Sequence, residues 1–181
     1  VVEIVEDPVA GGPDLSHLEA MLIDARDAEL VLGAFSACSN VTGILTDTDA
    51  VTRLLKRYGA LAIWDYAGGG PYLPIAMMPA PDCAKDAVVI SPHKFPGGPG
   101  ASGVTVLRDT VIRNRRPHRP GGGTVSFVSP WSHRYTGSVA AREEGGTPNV
   151  VGDIRAALVF LVKKAIGPDL VLSHARTLRD R

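Results

Sequence analysis

The chain has 181 residues, 45% hydrophobic and 21% charged, with 20 Gly and 14 Pro, a composition that excludes disorder and suits one globular domain. Its 19 Lys and Arg balance 19 Asp and Glu, so no summed positive field draws it to nucleic acid or to an anionic membrane. The longest uninterrupted apolar run, Ala156 to Val162, is far short of the roughly 20 residues needed to cross a bilayer. Cys38 and Cys83 have the spacing of neither a disulfide framework nor a zinc or redox motif, and a reducing cytoplasm is the expected compartment. The chain opens at Val1 without Met and without a signal-peptide pattern, and is expected to be part of something longer.

Val1 to Val5 reads as a strand, and Asp14 caps an amphipathic helix to about Arg26 with Leu15, Leu18 and Leu22 at helical spacing. Glu29 to Ala37 is a second apolar run. Asp47 or Asp49 opens a second helix through Tyr58, Gly59 ends it, and Ala60 to Trp64 forms a third strand. Asp86 to Ile90 and Gly103 to Leu107 are two further short strands, separated by the Pro/Gly-rich segment Ser91 to Gly100. Between residues 116 and 138 both periodicities fade. Asn149 to Ile166 is a long helix with Ile154, Ala157, Leu158, Leu161 and Val162 on one face and Lys163 and Lys164 in its last turn, where they complement the helix dipole, and Gly167-Pro168 stops it. Strands alternating with helices predict a largely parallel sheet covered on both faces, with ligands gathered beyond the carboxyl ends of the strands.

Those ends are polar: Ser39-Asn40-Val41-Thr42-Gly43, then Asp65-Tyr66-Ala67-Gly68-Gly69-Gly70, then Ser91-Pro92-His93-Lys94-Phe95. Lys94, flanked by prolines and glycines after an apolar strand, is expected in a crevice, where burial would favour a nucleophilic amine capable of Schiff-base chemistry. The alternative is a solvated loop lysine. Asp65 stands where a carboxylate can be desolvated yet aimed into the crevice, needing a cationic partner such as a protonated pyridine nitrogen; the alternative is an Asx-turn into the glycines that follow. Ser91 and His93 offer a hydroxyl and an imidazole suited to a phosphate ester. A triphosphate-type loop is excluded, because there the glycines precede the Lys and a Ser or Thr follows it, whereas Phe95 follows here. Asn40 reads as a turn-former or a ligand contact at the next strand end.

Asp65 in a strand-end turn followed by Ser91-Pro92-His93-Lys94 closely resembles the class V pyridoxal-phosphate-dependent aminotransferases and the related cysteine desulfurases. Ser-Asn-Val-Thr-Gly at 39–43, Trp-Asp-Tyr-Ala at 64–67, Gly-Gly-Gly-Thr at 121–124 and Glu-Gly-Gly-Thr-Pro-Asn at 144–149 stand in family order. The resemblance implies a mainly parallel, three-layer α/β/α sheet domain, the fold-type I large domain in part. Residues 1–167 would be the cofactor-binding part and 168–181 the start of a connection to a smaller domain. It implies pyridoxal 5'-phosphate as cofactor, Lys94 forming the internal aldimine, and Asp65 pairing with the pyridine nitrogen so that the ring serves as an electron sink. Ser91 and His93 would bind the cofactor phosphate and Asn40 would lie near the ring oxygen and the substrate carboxylate. Gly123 and Thr124 would reach across a homodimer interface to the neighbour's phosphate. The substrate would be an amino acid, with no nucleic acid or membrane partner.

This chain departs from the family pattern at Gly68, where many members carry a Gln that bonds the ring oxygen. The stacking residue and the N-terminal phosphate turn would lie before Val1, and the substrate-carboxylate Arg and the desulfurase loop Cys after Arg181. Cys38 and Cys83 are accordingly read as packing residues. Arg108, Arg113, Arg115, Arg116, His118 and Arg119 form a basic cluster read as a solvated surface, and Phe127, Trp131 and Tyr135 as a dimer surface or packing under a loop. The leading expectation is an enzyme acting at the α-carbon of an amino acid, by transamination or as a lyase, this segment being inert alone. The competing expectation is a scaffold or dimerisation domain without catalysis. A nucleotide-binding doubly wound domain is disfavoured because no Gly-x-Gly-x-x-Gly follows the first strand.

Overall fold

A computed structural model describes residues 1–180, and within them two compact units: Val1–Leu107 with the chain from Gly152 onward, and Arg108–Val151. In the first unit, α1 (Leu15–Asp24) begins where Asp14 accepts a hydrogen bond from the His17 backbone N–H at 2.9 Å, the expected N-cap. After β1 (Leu32–Ser36), α2 (Thr48–Arg57) is capped by Asp47, which accepts from the Asp49 and Ala50 N–H groups at 3.1 and 2.9 Å. Asp47 therefore wins over Asp49, whose carboxylate is left for another partner. Strands β2 (Leu61–Asp65), β3 (Ala87–Ile90) and β4 (Val104–Leu107) complete a sheet of order β1-β2-β3-β4. The first three strands pair in parallel and β4 joins antiparallel, the mainly parallel α/β arrangement predicted.

Val1 to Val5 is not a strand. Val5 donates its N–H to His17 Nδ1 at 3.0 Å and accepts from the Asp14 N–H at 2.9 Å, and the isolated bridge that follows, Glu6 to Pro13, lies beyond the segment. Valine's preference for extended structure is realised only against a partner strand, and none lies beside it among the described residues.

Register puts Phe35, Trp64, Val88 and Val106 in one row across the sheet, and Ser36, Asp65, Val89 and Thr105 in the next, facing the other way. The first face is covered. Trp64 is fully buried and donates from Nε1 to Thr52 Oγ1 of α2 at 2.9 Å. Gly33 brings β1 so close to α2 that a Cβ there would sit 2.6 Å from Leu55. The opposite face is more open, with Leu32, Ala34 and Ser36 exposed and Leu61, Ile63 and Val89 half-buried. Two ion pairs tie α2 to the segment leading into β3. Lys56 bonds Asp86, whose Oδ2 also accepts from the Ala62 N–H at 2.8 Å. Lys85, 1% exposed, reaches Asp49 at 3.1 Å. Burial pushes the Asp49 carboxyl up, but the Lys85 hydrogen bond and charge, with smaller help from Cys83 and Thr48, outweigh it and hold the group below the usual range.

The long helix α4 (Val150–Ile166) forms as expected but turns a different face inward. Gly152, Ala156 and Val159 are buried, whereas Ile154, Leu158, Leu161 and Val162 are exposed. Gly152 and Ala156 lie on the packed side, where the Gly152 carbonyl accepts from the Ser102 N–H at 3.0 Å. Gly167, at φ +84°, ends α4, and Pro168 opens α5 (Pro168–Arg179). Arg181, the last residue of the predicted 168–181 connection, lies outside the described residues.

In the second unit the patternless stretch contains a hairpin, β5 (Val125–Val128) with β6 (His133–Tyr135), followed by α3 (Val139–Glu143). Its turn is held by Ser129 and Ser132 in place of an Asn-Gly pair, which is why periodicity did not find it. Phe127 and Trp131 are exposed and Tyr135 half-buried. Arg113, Arg115, Arg116 and Arg119 are exposed, as a solvated surface requires. No helix among the described residues is long and apolar enough to cross a membrane.

Thr52→Val leaves the Trp64 indole N–H buried without an acceptor and is expected to cost about 1–3 kcal/mol in urea unfolding. Asp49→Ala strands the Lys85 ammonium and is expected to cost about 2 kcal/mol near neutral pH, less than a fully buried pair would because Asp49 is partly exposed. Because the folded-state pKa is lowered, this stabilisation is complete above the ordinary aspartate value of about 3.9 and is lost as pH falls through the folded one. The gap between wild type and Asp49→Ala should close below about pH 4.

Candidate functional site

Parallel pairing carries the polar turns to one rim. Asp65 stands in register with Ser36 on one side and Val89 on the other. The ladder continues a step beyond, the Ala37 N–H donating to the Asp65 carbonyl at 2.9 Å and the Tyr66 N–H to the Val89 carbonyl at 2.8 Å. The three glycines after Asp65 let its turn nestle between the flanking loops. A Cβ at Gly68 would lie 3.8 Å from Cβ of Asn40, and one at Gly70 would lie 3.3 Å from the Phe95 ring and 2.6 Å from the Tyr66 carbonyl. The loop of Asn40, the turn of Asp65 and the turn of Lys94 are thus neighbours.

The Asp65 side chain is half-buried. Its Oδ1 accepts from the Ala67 N–H at 2.6 Å, the Asx-turn that was one of the two readings. Its Oδ2 has no partner among the described residues. Ser91 to Phe95 form a 3₁₀ turn in which the Lys94 N–H donates to the Ser91 carbonyl and the Phe95 N–H to that of Pro92, both at 3.0 Å. With three residues per turn, Pro92 and Phe95 share the buried side and His93 and Lys94 face outward. The expectation of Lys94 in a crevice is therefore corrected for this chain: the amine is exposed and has no partner among the described residues. The Ser91 hydroxyl and the His93 imidazole are likewise without a protein partner, and Asn40 is exposed on its loop. Gly98 completes the turn, since a Cβ there would come within 2.1 Å of the Pro92 carbonyl.

Gly123 and Thr124 belong to the second unit. Gly123 is exposed at φ +82°, while Thr124 is buried with its hydroxyl donating to the Gly121 carbonyl at 2.6 Å and accepting from the Gly121 N–H at 3.1 Å. Cys83 is buried, and burial raises its thiol pKa first of all; Cys38 is half-buried and is raised by burial too, so both fit packing better than nucleophilic roles. No group of three or more His, Cys, Asp or Glu among the described residues could hold a metal ion.

Sequence reading missed Lys163. Its Nζ donates to the Gly70 carbonyl at 2.5 Å and to the Leu73 carbonyl, and lies 5.5 Å from the centre of the Phe95 ring. Burial lowers its pKa. Its place in the last turn of α4 suggested only a complement to the helix dipole. The available signal was its spacing, four residues beyond Val159 on the side that packs. Two cavities accompany these elements, one of about 870 Å³ beside β1 and α1 and one of about 530 Å³ beneath α4, lined by Val88, Ile90, Phe160 and Lys163. Neither of these two is lined by Asn40, Asp65, Ser91, His93 or Lys94.

The sequence is 27% identical over 180 residues to a probable cysteine desulfurase of Pyrococcus abyssi, an alignment covering 99% of this chain and 43% of that protein. It is 31% identical over 144 residues to a probable cysteine desulfurase of Aeropyrum pernix, covering 75% of this chain and 33% of the relative. The chain therefore spans less than half the length of these curated relatives. Among solved structures, the apo cysteine desulfurase of Thermococcus onnurineus superposes with a TM-score of 0.79 at 28% identity, over 92% of this chain and 40% of the other. The Escherichia coli cysteine desulfurase CsdA superposes with a TM-score of 0.83 over 98% and 42%, and at 24% identity it speaks for the fold. The sequence model of the family described as aminotransferase class-V, whose enzymes depend on pyridoxal phosphate, matches residues 2–181. With that match over nearly its whole length, on a mainly parallel sheet whose polar turns meet at one rim, the chain belongs to the class-V aminotransferase family.

Proposed function

We propose that the protein carrying this chain is a pyridoxal-phosphate enzyme acting at the α-carbon of an amino acid, as an aminotransferase or a cysteine-desulfurase-like lyase, with residues 1–167 as its cofactor-binding part. The observation that carries this reading is the set of unengaged polar groups on adjacent strand ends: Asp65 Oδ2, the Ser91 hydroxyl, the His93 imidazole and the Lys94 amine. The half-buried Asp65 oxygen is the sharpest test of fit. A carboxylate oxygen left unpaired at a partly desolvated strand end suits a cationic partner, which a protonated ring nitrogen would be.

When bound, pyridoxal phosphate supplies an electron sink for negative charge at the substrate α-carbon. The chain's part would be to bind, orient and move a proton. Lys94 would hold the cofactor covalently through Nζ, and the same amine, once released, would carry the proton to and from the α-carbon. Asp65 Oδ2 would face the ring nitrogen, its other oxygen kept in place by the Ala67 N–H. Ser91 and His93 would hold the phosphate, and Asn40 would lie near the ring oxygen and the substrate carboxylate. Gly123 and Thr124 would meet the phosphate bound by a second copy of the protein in a homodimer. Because the Thr124 hydroxyl is already bonded to Gly121, that contact would fall to the backbone of the exposed glycines.

The more open sheet face, with Leu32 and Ala34 exposed, favours a second reading, in which this segment alone serves assembly without catalysis.

Pyridoxal phosphate added to the protein is expected to give a visible absorbance band that Lys94→Ala abolishes and Asp65→Asn weakens; an equal band in Lys94→Ala overturns the lysine assignment. Sedimentation of the 181-residue segment alone is expected to show self-association, and a well-behaved monomer would remove the assembly reading.

A further inference from the structure

The ammonium of Lys163 sits where the two turns of the candidate site touch. On one side it donates to the carbonyls of Gly70 and Leu73, which close the turn begun at Asp65. On the other it faces the ring of Phe95, the residue after Lys94. Phe95 is itself 3% exposed and meets Phe160 of α4 edge-on at 5.3 Å between ring centres. The two turns are in direct contact, since a Cβ at Gly70 would lie 3.3 Å from the Phe95 ring. A half-buried amine that donates to two carbonyls and rests over an aromatic face holds each part by a different force, charge-assisted hydrogen bonds on one side and cation–π attraction on the other. Neither turn has an ion pair of its own among the described residues.

We propose that Lys163 is a positioning residue of the strand-end site: it couples the turn that carries Asp65 to the turn that carries Lys94, so that acid and amine keep a fixed separation. The coupling is a property of the chain itself; its consequence for the cofactor rests on the function proposed above.

The test compares wild type with Lys163→Met, which keeps the apolar stem and removes the donors. Native-state hydrogen exchange is expected to accelerate about tenfold or more at the amides of Gly70 and Leu73 and also at those of Phe95 and Gly98, while the amides of Trp64 and Val88 keep their wild-type rates. Acceleration confined to Gly70 and Leu73, an equal acceleration throughout the sheet, or no acceleration would each overturn the coupling. If Lys163→Met does not fold, Lys163→Leu, which also lacks donors, carries the same comparison with the same outcomes. In the spectroscopic arm, pyridoxal phosphate should still give the Lys94-dependent band with Lys163→Met, but with about tenfold weaker binding and a shifted pH midpoint. An unchanged affinity and midpoint would overturn the positioning role. A wild type without any band would instead defeat the cofactor assignment, and the exchange measurement would still decide the coupling.

Discussion

Parallel pairing of three short strands is the constraint on which everything else in the first unit depends. An antiparallel neighbour would send the residues after Ser36, Asp65 and Ile90 to opposite ends of the sheet; parallel pairing sends all three the same way. The pairing is held in step at its start by Asp86. Its backbone N–H donates to the Ala62 carbonyl at 2.8 Å while its carboxylate accepts from the Ala62 N–H. A slip of one residue would break this reciprocal pair and would also exchange the places of Trp64 and Asp65, putting a carboxylate in the core and an indole on the rim.

That alternation is how one short strand serves both stability and chemistry. Trp64 points into the layer under α2, where Thr52 satisfies its only polar atom, and Asp65 points to the face on which its second oxygen stays unpaired. The same division recurs in the Ser91 to Phe95 turn, where Pro92 and Phe95 anchor and His93 and Lys94 face outward. Small residues make the close approaches possible. Gly33 admits Leu55 of α2, and Gly70 brings the ring of Phe95 against the acid's turn.

Much of this was legible in the residues. Asp14 as a cap, the short apolar strands from Ala60, Asp86 and Gly103, and the polar turns that follow them could be read from local chemistry, because caps and turns depend on residues two or three positions away. The family resemblance rested on the same turns. What could not be read depended on contacts between distant segments. Val1 to Val5 has the composition of a strand and lacks a partner. α4 is apolar on more than one side, and the side that is buried carries Gly152, Ala156 and Val159 while the stripe with the larger side chains is exposed. Lys94 was expected in a crevice because its neighbours are Pro and Gly, but the 3₁₀ geometry that those residues impose is what turns it outward. Lys163 looked like an ordinary helix-terminal cation because its acceptors, Gly70 and Leu73, lie some ninety positions earlier.

The amino-acid sequence by itself determined the order of the elements from α1 to β4, the residue types offered at each strand end and the family to which they point, since these follow from propensity, capping and short-range pattern. Only the tertiary structure decided which face of the sheet is covered, that Asp65 keeps one oxygen in an Asx-turn and one unpaired, and that an amine from α4 bridges the turns of Asp65 and Lys94. The physical reason is that burial and pairing are set by whichever segments meet across the sheet, and that meeting depends on packing between residues far apart in the chain.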